Sequence, residues 1–129
     1  MYGFTVTTAG KFDDAVARTV AALKTEGFGV LTEIDVAATL KAKLNLDRRP
    51  YKILGACNPQ LASQALDADP DIGLLLPCNV VVREDADGRV VVGFMDPAAV
   101  LALAEHRELE PLGAEVRARL QRVAEVLKQ

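Results

Sequence analysis

Ile72-Gly73-Leu74-Leu75-Leu76-Pro77-Cys78-Asn79-Val80-Val81-Val82-Arg83 is followed by Glu84-Asp85-Ala86-Asp87-Gly88 and then by Arg89-Val90-Val91-Val92-Gly93-Phe94-Met95. Two runs dense in β-branched and apolar residues, joined by a short acidic segment that ends in Asp-Gly, predict one long antiparallel hairpin over about 72–96. Period-two alternation puts Ile72, Leu74, Leu76, Cys78, Val80 and Val82 on one face of its first strand, and Leu75 and Val81 on the other. On the return strand Val90, Val92 and Phe94 oppose Val91 and Met95. Both faces are thus substantially apolar, whereas helices in a two-layer domain cover only one. The second face calls for the terminal helices or a second copy of the chain, and a two-fold homodimer is the expectation. Pro77 cannot donate to a ladder, so it marks an edge, a bulge or a limit of pairing.

Outward from the hairpin, the elements follow from periodicity and caps. Residues 2–8 alternate weakly and predict a first strand. Phe12, Val16, Val20 and Leu23 form a helical stripe over 11–26, with Asp13 and Asp14 in the first turn and Gly27 placed to end it. Residues 28–34 predict a strand with Phe28, Val30 and Ile34 on one face. Asp35 caps a short helix striped by Val36, Leu40 and Leu44. Tyr51 to Cys57 is a third strand, and Asn58-Pro59 opens a helix that Asp69-Pro70 stops. Asp96-Pro97 opens another, ending near Leu103. A polar connection over 105–110 leads to a last helix striped by Leu112, Val116, Leu120, Val123 and Leu127. The order β-α-β-(α)-β-α-β-β-α-α predicts an α+β fold over 1–129, a single two-layer domain with an antiparallel-rich sheet and helices on one face.

Size and charge narrow the function classes. A chain of 129 residues, half of them hydrophobic and 26% charged, has the composition of an ordinary globular protein. Eighteen acidic against fifteen basic side chains leave a formal charge of −3, which argues against nucleic acid and anionic membrane as partners. No apolar run reaches the length of a membrane span, and the first residues lack a signal peptide's basic start and apolar centre. A cytoplasmic location is the expectation, with Cys57 and Cys78 as reduced thiols.

Two corners carry the candidate chemistry. Cys57 ends a strand one residue before the Asn58 cap, where helix N–H groups and dipole favour a thiolate. Pro77-Cys78-Asn79 is the second. If the Cys57 and Cys78 strands are neighbours, two thiols and two amides converge, although the parity of Cys78 with Leu76 and Val80 fits plain core packing equally. Glu33 and Asp35 share one side of a strand, a spacing suited to paired carboxylates, but an outward polar position and a cap account for them as well. No metal is assigned: neither cysteine lies in a CxxC or CxxH spacing, His106 is the lone histidine in a polar segment, and Met95 adds only a soft thioether. The Asp67, Asp69 and Asp71 cluster does not match a calcium loop. There is no phosphate loop and no Ser/His/Asp set, so no catalytic residue and no cofactor is assigned.

Tyr51-Lys52-Ile53-Leu54-Gly55-Ala56-Cys57-Asn58-Pro59 and Gly73-Leu74-Leu75-Leu76-Pro77-Cys78-Asn79-Val80-Val81-Val82, with Gly27 to Asp35 and Met95-Asp96-Pro97, resemble the domain-of-unknown-function 302 family. The resemblance runs from the first helix to the last. It implies a compact β-α-β(4)-α arrangement like the TATA-binding-protein class of folds, and it implies no activity, substrate or catalytic residue. Fold likeness to a DNA-binding protein does not imply DNA binding on so acidic a chain.

The leading expectation is therefore a non-catalytic homodimeric module that binds a small apolar ligand. Its pocket is expected between the Cys57–Asn58 corner, the Pro77–Asn79 irregularity and the outer face of the hairpin, with Cys57, Asn58, Pro77, Cys78, Asn79 and Glu33 as candidate ligand-binding residues. The alternatives are a thiol-dependent enzyme or redox sensor using Cys57 with Cys78, and a purely structural assembly domain.

Overall fold

The computed structural model describes residues 1–128. Its strands are β1 (Gly3–Thr8), β2 (Gly29–Asp35), β3 (Tyr51–Cys57), β4 (Cys78–Glu84) and β5 (Val90–Met95). Its α-helices are α1 (Phe12–Thr25), α2 (Val36–Leu44), α3 (Pro59–Ala68), α4 (Pro97–Leu101) and α5 (Glu110–Leu127). The strands form one antiparallel sheet in the order β1-β5-β4-β3-β2, an α+β architecture. The central hairpin β4–β5 is flanked by β3 on one side and by β1, the first strand of the chain, on the other. β1 and β2 are left as the edges.

Register explains which side chains make the core. Leu54, Ala56, Cys78, Val80, Val82, Val90, Val92 and Phe94 share one face and are buried. Against that face lie α1, through Ala15, Ala22 and Leu23, and α5, through Val116, Leu120, Val123 and Leu127. The stripe read along α5 is the face it buries. On α1 the buried residues are Ala15, Thr19, Ala22 and Leu23, while Phe12, Val16 and Val20 are half-buried beside them. The small residues bring the helix close to the sheet, and Thr19 satisfies its buried hydroxyl by donating to the Ala15 carbonyl at 2.7 Å. Phe4 stacks on Phe94 with ring centroids 5.3 Å apart, holding edge strand β1 to the hairpin.

The caps form where their residues stand. Asp35, Asn58 and Asp96 each accept from a backbone N–H two or three residues on, opening α2, α3 and α4. Gly27, at φ +86°, turns the chain out of α1 in a conformation that side-chain-bearing residues rarely adopt.

The hairpin itself is shorter than its sequence suggests. Pro70–Leu75 is a 3-10 helix and not the start of a strand; β4 begins at Cys78. Asp69 caps the 3-10 helix by accepting from Asp71 N–H at 3.0 Å, and Pro70 supplies a helical φ at its first position. Ile72 then buries in a second apolar cluster with Ala65, Leu101, Leu109 and Leu112, while Leu74 is 87% exposed. Equal parity in a strand would have put these two on the same face. Pro77, after a cis peptide bond, stands just before β4, at the limit of pairing.

The loss of Leu75 from the strand leaves the other sheet face less apolar than expected. It carries buried Val91 with half-buried Val81, Ile53 and Gly93, and exposed Asn79. Two further departures matter for the site. A β-bulge at Leu31 shifts the β2–β3 register, so Val30 pairs with Ala56 and Ile34 with Ile53. Val30 and Ile34 therefore lie on opposite faces and not on one. In the 105–110 connection Leu109 is buried and His106 Nε2 lies 3.2 Å from Asp69 Oδ2, tying this segment to the end of α3.

Candidate functional site

At the end of the sheet where β3 finishes and β4 begins, the two apolar clusters share Leu61 but leave a gap between them. The gap is a cavity of about 390 Å³. The sheet contributes Ala56 and Cys57 from the end of β3, Pro77 and Cys78 from the start of β4, Met95 from the end of β5, and Leu31 and Thr32 from β2. α3 closes one side with Leu61, Ala62, Ala65 and Leu66, while Pro97, Leu101, Leu112 and Val116 close the base. Asn58 fills the corner between β3 and α3. None of the lining residues is Asp, Glu, Lys, Arg or His.

The local causes of this space are visible in the chain. Apolar residues in adjacent pairs, Leu61-Ala62 and Ala65-Leu66, give α3 one apolar face, which lines the cavity with two large and two small side chains. The bulge at Leu31 turns that side chain to the cavity's rim, where it is 69% exposed. Pro77 and Thr32 close over Gly55: an added Cβ there would overlap Thr32 Oγ1 and stand 3.0 Å from Pro77 Cγ. Only glycine permits this close approach of β2, β3 and the β4 lead-in.

Four of the six candidate residues, Cys57, Asn58, Pro77 and Cys78, border this one cavity, because β3 and β4 are antiparallel neighbours with Ala56 opposite Cys78. Asn79 is exposed and not part of the lining, since it follows Cys78 by one residue and points through the opposite face. Two thiols and one amide converge, not two of each. Glu33 also stands apart, its carboxylate 2.8 Å from Lys52 Nζ on the neighbouring strand. The hydrogen bond to Glu33 holds the Lys52 ammonium above its ordinary range. Its supposed partner Asp35 caps α2, with Ala38 N–H donating at 2.8 Å. The cavity lies at the helix-covered side and end of the sheet, not over the hairpin's outer face as the sequence suggests.

The two thiols differ. Cys57 is half-buried and Cys78 is buried. Burial pushes the Cys78 thiol up to about 11, with nearby Cys57 adding to the effect, so at neutral pH it is a neutral wall group. Asn58 Oδ1 accepts from Leu61 N–H at 3.3 Å, and its Nδ2 has no hydrogen-bond partner among the described residues. Among these residues no group of three or more His, Cys, Asp and Glu is gathered to hold a metal ion, and no helix is long and apolar enough to cross a membrane.

Phe28, Leu31, Thr32, Leu61, Ala65, Leu112 and Val116 escape a sequence search for sites because nothing distinguishes their apolar or small polar side chains from core. The signal that could have found part of the site is the paired apolar pattern of α3, which is wider than a single packing stripe needs.

Comparison with known proteins follows the same lines. A family model described as Domain of unknown function DUF302 matches residues 4–127. The chain is similar to a crystal structure of an uncharacterized conserved protein DUF302 from Bacillus stearothermophilus, with 30% identity, a TM-score of 0.92 and 99% of each chain covered. No curated protein matches it.

Proposed function

The chain belongs to the DUF302 family, whose description assigns no activity, and from that premise we propose that it is a small-ligand-binding module whose binding site is the cavity between α3 and the end of the sheet. The observation that carries this reading is the cavity itself. Its volume of about 390 Å³ falls in the range of small-molecule sites, and its wall is apolar apart from Thr32, Asn58 and the two thiols. Apolar wall left open to water on one side favours a ligand that covers it.

A homodimer is part of the same reading. Exposed Leu31 and Ile34 on edge strand β2, with exposed Leu44 and Leu46 after it, favour a second copy at that side of the sheet. The test is native mass spectrometry of protein purified without added metal or chelator, repeated after denaturation. A dimer bearing extra mass that is lost on denaturation is the expected result. A bare monomer that no hydrophobic compound stabilises in a thermal-shift panel refutes both parts.

A further inference from the structure

Resting on the ligand-binding reading above, we infer that the cavity selects an uncharged, hydrocarbon-rich molecule of roughly 15 heavy atoms. The size follows from proportion: a dry cavity of about 150 Å³ takes benzene, so about 390 Å³ takes a molecule roughly two and a half times larger.

The charge follows from the wall. No acidic or basic side chain lines the cavity, so an ion drawn inside would lose its water and gain no partner. The buried Cys78 thiol stays protonated and supplies no charge either. At the rim the exposed lining residues are Leu31, Thr32, Leu66 and Gly73, none of them a cation, and Arg119, near Asn58 beside Gly27, is already held by the Glu115 carboxylate at 3.0 Å and the Glu26 carbonyl. The flanking Asp67 and Asp71, exposed near the end of α3, would repel it.

The polar groups at this end add no further selection: Thr32 is exposed and lies opposite Gly55, on the sheet face that Asn79 points through, and Asn58 Nδ2 lies beside Gly27.

The test uses displacement of Nile red, a neutral dye, from the full-length protein at pH 8 by three compounds matched in chain length. These are 1-tetradecanol, kept below its solubility limit, and myristate and tetradecyltrimethylammonium, each below its micelle concentration. The alcohol is expected to bind at least about 30-fold more tightly than either ion. A smaller ratio for either ion overturns the inference while leaving the binding module standing. Failure of the dye and of all three compounds to bind overturns the module and the inference together. Two variants locate the site. Ala62→Trp, which fills the cavity, should abolish alcohol binding. Leu66→Arg, at an exposed rim position that tolerates a charge, should tighten myristate at least about 10-fold with little change for the alcohol. Unchanged myristate binding in Leu66→Arg overturns the inference even if Ala62→Trp fails to fold.

Discussion

Replacing Gly55 by alanine asks whether the wall of the cavity is held as tightly as the structure implies. The new methyl group would overlap Thr32 Oγ1 and come to 3.0 Å from Pro77 Cγ. Thr32 is β-branched, so only one of its three staggered rotamers turns a hydrogen toward Gly55, and the ladder holds its backbone in place. Overpacking of this kind costs about 1–3 kcal/mol, while the lost freedom of glycine in the unfolded chain returns about 0.4–1 kcal/mol. The net loss is about 1–2 kcal/mol, and for a chain of 129 residues this lowers Tm by about 4–7 °C. Urea titration followed by far-UV circular dichroism measures it directly. The decisive comparison is the same substitution in a Thr32→Ala background, where Oγ1 is gone. There most of the penalty should vanish, a coupling of about 1 kcal/mol. An equal penalty in both backgrounds would refute the reasoning and move the conflict to Pro77 or the backbone.

Leu120→Ala, on the fully buried face of α5, should lose about 2–5 kcal/mol in the same titration, with its slope unchanged. Asp96→Ala removes both the cap of α4 and a 3.1 Å contact with Arg117, and a loss of about 1–2 kcal/mol is expected. Alkylation at pH 7.5, read by mass spectrometry, should modify half-buried Cys57 well before Cys78; equal rates would contradict the burial of Cys78. The raised Cys78 thiol also contributes stability that is present below its ordinary value of 9.0 and lost as pH rises toward about 11, so Cys78→Ala should flatten that alkaline decline. Glu26 behaves oppositely: its hydrogen bond from Arg122 lowers the carboxyl below 4.5, so the stability difference between wild type and Glu26→Gln should be present at pH 7 and fade as pH falls below 4.5.

Much of the fold was legible because local chemistry and tertiary need agree. The α5 stripe from Leu112 to Leu127 is buried as its spacing requires, and Asp35, Asn58 and Asp96 cap the helices their positions announce. Legibility failed where a run of apolar residues had two ways to be satisfied. Ile72 to Leu76 is as apolar as any strand, but Asp69 and Pro70 fix a 3-10 turn just before it, and the second cluster offers Ile72 a better burial than the sheet does. The Leu31 bulge was similarly invisible, since it depends on how β2 registers against Gly55 and its neighbours.

For the site, the sequence by itself determined the corners. Cys57 before a capped helix and Cys78 after Pro77 mark two places where regular structure ends, because proline and capping residues act on the few residues around them. Tertiary structure alone decided that the corners share one cavity, that Asn79 and Glu33 lie outside it, and that its wall is uncharged. Which side chains face a common space depends on strand order and register, and those are fixed by contacts between residues far apart in the chain.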